Sequence, residues 1–183
     1  MNAVMAETPY ELLRHIESRS REKALGLPQQ IEVRRSWSGI GFRFGPHHFV
    51  APMGAITEIL EYPPLTRVPS ALPWVLGIAN VRGSLLPIMD LKGFVTGEQS
   101  ELTRRSRVLV IQQGDLHTGL LVDEVLGLRH FFDEEKLPDA ASLEPVVQEF
   151  VEGAYRQGEQ DWGVFSLERL VANPRFREVA AQA

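Results

Sequence analysis

The 183-residue chain contains no cysteine. That excludes a disulfide framework, a zinc–thiolate site and a thiol nucleophile, and it is compatible with a reducing compartment. No apolar run approaches the ~20 residues that a membrane-spanning helix needs. The N-terminal stretch MNAVMAETPYELLRHIESRSREK lacks the apolar centre of a secretory signal. A soluble, cytoplasmic protein is therefore expected. Strong charge of one sign is missing too: the net charge is −5, and tryptophan and tyrosine number only three each. Neither feature gives an electrostatic reason to expect nucleic acid or an anionic membrane as partner.

Catalytic signatures are also sparse. The histidines stand at 15, 47, 48, 117 and 130 and include no i, i+4 pair that could grip a metal from one helix face. His47-His48 falls in an expected turn and reads as solvated. Ser38 and Ser84 each neighbour a glycine, but no G-x-S-x-G elbow exists. Gly39-Ile40-Gly41 starts like a dinucleotide loop, yet Phe44 occupies the third glycine position. The acids Asp123-Glu124 could do acid–base work only in a pocket that shifts one of them. Asp123 follows the apolar run Leu120–Val122, so a turn or ion-pair role is the simpler reading. Arg104-Arg105-Ser106-Arg107 reads as part of a solvated loop. No metal, cofactor or enzymatic activity is expected.

What is present is ample core-forming material: 44% of residues are hydrophobic, enough to exclude wholesale disorder. Residues 9–25 read as a helix, with Thr8 as N-cap, Pro9 in the first turn and Leu12, Leu13 and Ile16 on one face; Gly26 and Pro28 punctuate its end. From Trp37 onward, short apolar runs alternate with turn signals. Strands are expected at 39–44, 49–51, 77–81, 85–91, 108–112, 118–125 and 163–167, with helical character at 53–60, 72–76 and 167–170. No repeat is evident. Short strands at such spacing indicate barrels or a sandwich. The polar stretch 96–107 reads as the boundary between two β-rich halves, and 133–139 as a second long connection.

The most informative segment is Trp74–Leu91, WVLGIANVRGSLLPIMDL. Two apolar strands flank Arg82-Gly83-Ser84, which fits a hairpin with Gly83 in a positive-φ position. Arg82, an always-charged fork of donors, then lies near the tip. On the residues alone it keeps a tight turn solvated, or it anchors a partner, since arginine is enriched among interface hot spots.

The wider run Leu65–Leu91, LTRVPSALPWVLGIANVRGSLLPIMDL, resembles the signature of the CheW family: G-[IV]-x-N-[LV]-R-G followed by a strand ending P-[IV]-x-D-L. Gly41–Phe49, Gly119–Leu126 and Trp162–Leu170 resemble further elements of that family in order. The resemblance covers about residues 39–171. It implies an all-β fold with short helices: two intertwined SH3-like five-stranded barrels in a domain at 37–175. A partly helical extension at 1–36 and a tail at 176–183 flank it, and the barrels are expected to meet near residue 100. It also implies a non-enzymatic adaptor that couples a chemoreceptor's cytoplasmic tip to the regulatory domain of a CheA-type histidine kinase. By position, Gly77, Asn80 and Arg82 fall in the hairpin that affects receptor coupling. Ile56, Glu58 and Leu128 fall where a receptor-facing groove is expected, although Ile56 and Leu128 could equally be core residues. Val81 stands where leucine is commoner, a change of similar volume. The extension, with WSGIGFRFG and VAPMG, resembles the branch of the family that serves pilus chemosensory systems and twitching motility; a flagellar chemotaxis adaptor is the alternative. From a different class, a single-stranded nucleic-acid binder is the competing reading for small barrels, and a small hydrolase is a weaker one.

Overall fold

The computed structural model describes residues 9–23, 36–140 and 143–178. Contacts divide the chain into two units, Met1–Arg34 and Arg35–Ala183. In the first lies helix α1 (Pro9–Lys23), as expected, with Pro9 opening the first turn. The expected punctuation at Thr8, Gly26 and Pro28, and the expected helical residues Ala24 and Leu25, lie outside the described residues.

The second unit runs β1 (Ser36–Phe44), β2 (His47–Pro52), β3 (Ile56–Glu61), β4 (Val75–Val81), β5 (Ser84–Asp90), α2 (Leu91–Thr96), β6 (Arg107–Gln113), β7 (Leu116–Val122) and β8 (Glu124–Phe132). It continues through the two-residue β9 (Lys136–Leu137), α3 (Pro145–Gln148), β10 (Val151–Gln157), β11 (Gln160–Phe165), α4 (Leu167–Ala172) and α5 (Pro174–Arg177). Two mixed sheets result, ordered β8-β1-β2-β11-β10-β9 and β3-β6-β7-β5-β4. Residues 56–122 supply the whole five-stranded sheet, while the six-stranded one is assembled from segments on both sides of it. The barrels are thus intertwined as expected, but they do not divide the chain near residue 100. The polar stretch at 97–106 connects α2 to β6 inside a single sheet.

Strand faces explain the apolar runs. In β6, Val108 and Val110 point into the small core of the five-stranded barrel with Ala79, Leu86, Ile88 and Leu121. Leu109 and Ile111 point the other way, into a core shared by both sheets with Phe42, Phe44, Phe49 and Phe165. A strand buried on both faces reads as a continuous hydrophobic run. The six-stranded barrel has its own core of Val50, Phe131, Tyr155 and Trp162, against which Trp37 packs.

The two sheets repeat one plan. Each has a two-residue-loop hairpin at its centre (β1–β2, β6–β7) and a second hairpin (β4–β5, β10–β11) whose last strand pairs in parallel with the first hairpin. Each second hairpin carries a bulge near its start, Val75/Gly77 and Val151/Gly153, and feeds a short helix capped by a side chain, Asp90 or Ser166. Aligned by register, Asn80 corresponds to Arg156, Arg82 to Gly158 and Leu85 to Asp161. The repeat is structural and leaves no trace legible in the sequence.

Three expectations change. Residues 53–60, read as helical, contain β3: Ile56, Ile59 and Leu60 mimic helical spacing, but the strand pairs with β6 and alternates half-buried with exposed positions. Residues 72–76 lead into β4 instead of forming a helix. Strands β8 and β10, which the sequence reading did not separate, carry glycine and polar residues that dilute the apolar pattern.

Candidate partner-binding site

Strands β4 and β5 stay in register up to Val81↔Ser84, leaving Arg82-Gly83 as a two-residue loop. Gly83 has φ 86 and, unexpectedly, Arg82 also has a positive φ of 50. Two positive-φ residues make a loop whose twist suits a hairpin, but a non-glycine residue there costs roughly 1–2 kcal/mol. Two contacts hold it. The Gly83 N–H donates to Asn80 Oδ1 at 2.9 Å, and Arg82 Nη2 donates to Glu58 Oε1 at 2.6 Å. Glu58 lies on β3, the opposite edge of the same sheet, so this ion pair spans the seam of the barrel. The Arg82 side chain is 79% exposed, so the pair contributes at most about 1 kcal/mol.

The three remaining expected site residues lie on three different strands. Gly77 shapes β4: its φ is 147, and a Cβ there would stand 2.5 Å from the Thr66 carbonyl oxygen. That close approach lets Thr66 exchange two backbone hydrogen bonds with Ile78, so Gly77 supports the hairpin from within. Ile56 is half-buried against the shared core. Leu128 is 49% exposed on β8, an edge strand of the other sheet. The structure therefore joins Asn80, Arg82 and Glu58 at one tip, leaves Gly77 as their scaffold, and puts Leu128 on a different sheet. Sequence reasoning missed Leu85, 71% exposed on the strand leaving the turn; the run Leu85-Leu86 gives no sign of which leucine faces out.

Elsewhere, Asp123 is the turn and ion-pair residue expected of it. Its Oδ2 accepts from the Gly45 N–H at 2.8 Å and from Arg43 at 3.4 Å. His47 and His48 are not solvated turn residues: they open β2, where His47 lies 3.6 Å from Glu144 and His48 packs edge-on against Trp162. Burial, followed by the charges of Arg43 and Arg129, holds the His48 pKa below its ordinary value. Among the described residues no group of three or more His, Asp or Glu side chains is arranged to hold a metal. No described helix is long and apolar enough to cross a membrane.

Residues 38–175 match the CheW-like domain family. The chain belongs to the CheW-like family. Its relatives include the protein PilI of Pseudomonas aeruginosa, 48% identical over 95% of this chain and 97% of that one. They also include the chemotaxis protein CheW of Rhizobium meliloti, 36% identical over 56% of this chain and 68% of that one. Among solved structures, the scaffolding protein TtCheW of Thermoanaerobacter tengcongensis superposes with a TM-score of 0.67 at 19% identity, over 79% of this chain and 97% of that one. The CheW-like fold is thus shared where sequence has largely diverged, and the hairpin at Arg82 lies within the matched domain.

Proposed function

We propose that the chain is a non-enzymatic cytoplasmic adaptor. It binds the cytoplasmic tip of a chemoreceptor and the regulatory domain of a CheA-type histidine kinase, so that receptor rearrangement biases the kinase between states. The observation that carries this reading is Arg82. An exposed guanidinium is held in an unfavourable backbone conformation at a hairpin tip, where the fold gains little from it, and strain kept without structural return points to function. Relatedness to PilI across nearly the whole chain, extension included, favours output to type IV pili and twitching motility over flagellar chemotaxis. Against single-stranded nucleic-acid binding, Trp37, Trp162, Phe131 and Tyr155 pack on one another inside a barrel and offer no stacking platform.

The test is Arg82→Asp in a reconstituted receptor–kinase assay. The variant is expected to melt within about 2 °C of wild type, as exposed substitutions do, and to lose receptor-dependent kinase control. An unfolded variant would make Arg82 a structural residue and end this reading.

A further inference from the structure

The polar connection at 97–106 is held to the five-stranded sheet by a buried carboxylate. Asp90, only 1% exposed, accepts from the Ser100 N–H through Oδ2 and from the Ser100 hydroxyl through Oδ1, each at 2.7 Å. The connection between β3 and β4 is pinned as well, because Thr66 exchanges two backbone hydrogen bonds of 2.9 Å with Ile78. Residues of these two fixed connections line a cavity of about 610 Å³, within the range of small-molecule sites. Leu65, Leu76, Leu102 and Leu121 give it apolar walls, and Tyr62 and Arg67 are among its polar groups. Leu102 stays 56% exposed within an otherwise polar connection. A second cavity of about 400 Å³ shares Arg67, Leu76 and Gln99 with the first.

Arg67 is the group left over. Among the described residues its guanidinium has no carboxylate or carbonyl partner, and the Tyr62 hydroxyl has no hydrogen-bond partner either. The one carboxylate in the lining, Asp90, is already engaged by three donors, the third being the Gly93 N–H at 3.0 Å. Burial raises the Tyr62 pKa, and of the charges acting on that hydroxyl the Arg67 cation outweighs the Asp90 anion. We infer that the cavity binds a small organic anion, a carboxylate carried on an apolar aliphatic or aromatic body. Arg67 supplies a planar fork of donors that matches a carboxylate. Tyr62 supplies a further donor, and the leucines take the apolar body. The volume suits a whole small molecule, whereas a docked protein would reach in with one side chain and leave much of it empty. This inference does not depend on the coupling role proposed above.

The test is calorimetry and amide NMR on the full chain with three carboxylate probes, indole-3-acetate, 3-phenylpropionate and octanoate, each set against its neutral amide. At least one carboxylate is expected to bind about 10-fold more tightly than its amide, as a charge-assisted hydrogen bond gives. It should shift the amide signals of residues 62–68 and 99–102. Arg67→Gln should bring the ratio to within about twofold and melt within about 2 °C of wild type, as exposed substitutions do. Leu102→Ser should weaken carboxylate and amide alike by about threefold. Arg104→Gln, exposed on the same connection but outside the lining, should change neither. The inference is overturned if no carboxylate outbinds its amide, or if Arg67→Gln keeps the preference. It is overturned too if Arg104→Gln removes the preference equally, since the attraction would then be one of general surface charge.

Discussion

The two barrels answer the same architectural demands with different residues. Both carry a side-chain contact from the second hairpin to a distant edge strand. In the five-stranded barrel it is the charged pair Arg82–Glu58, reaching β3, and in the six-stranded one a neutral hydrogen bond from Gln157 Nε2 to the His130 carbonyl of β8 at 3.0 Å. Both must turn a two-residue hairpin. One places Gly158 at the first loop position with φ 63, where glycine meets no penalty, and the other places Arg82 there with φ 50. Both bulge near the start of the second hairpin. A Cβ at Gly77 would collide with the Thr66 backbone, whereas one at Gly153 would meet nothing within 4 Å. The two barrels thus share a plan, and where they differ the cause lies in the residues at equivalent positions.

The sharpest way to break this comparison is at the bulges. Gly77→Val should cost about 3 kcal/mol or more, since it adds a backbone collision to a φ that side chains rarely adopt. Gly153→Ala should leave the chain as stable or raise it by up to about 1 kcal/mol. Chemical denaturation of the pair checks both, and equal losses would erase the asymmetry. At the turns the effects are smaller. Gly158→Arg, which copies the strained tip onto the relaxed one, should cost about 1 kcal/mol. Arg82→Asn should hold or slightly raise stability, because asparagine tolerates the left-handed region. A destabilised Arg82→Asn would mean that the Glu58 pair outweighs the strain. Smallest is a pH effect in the six-stranded barrel. The folded chain keeps the His48 pKa below its unfolded value near 6.5. The unfolded chain then binds more protons, so stability should fall as pH drops from about 6.5 toward the lowered folded value. His48→Gln should flatten the dependence of Tm on pH in that window and leave it unchanged above pH 7.

Much of this was legible in the sequence. The centres of β1, β2, β4, β5, β6, β7 and β11 coincide with apolar runs bounded by Gly, Pro and polar turns, and the hairpin at Arg82 was placed from its motif. What could not be read has physical causes. Helical spacing of Ile56, Ile59 and Leu60 arises in β3 because Ile59 is an apolar residue on the exposed face, between the half-buried positions of Glu58 and Leu60. Strand exchange between the sheets is a long-range property, so the polar stretch at 97–106 looked like a border when it is a surface connection. At the tip, Arg82 announced itself through charge, but its positive φ did not, since Gly83 alone satisfies the usual expectation. Leu85 was hidden because exposure depends on which face of β5 meets the core.

The nesting of one sheet inside the other also dictates an order of assembly. Every strand of the five-stranded sheet is present once Val122 has been synthesised, and its most distant pairings lie within residues 56–122. The β1–β2 hairpin is made earlier yet must wait longest. Its parallel neighbour β11 and its antiparallel neighbour β8 both come from the far side of the intervening sheet. Until they arrive, Phe42, Phe44 and Phe49 lack their ring contacts with Phe165 and β2 keeps a free edge, the condition under which nascent chains pair wrongly or need a chaperone. Pulse-labelled hydrogen exchange during refolding is expected to protect β6 and β7 before β1 and β2. The first segment of the body to be made would then be among the last to become secure.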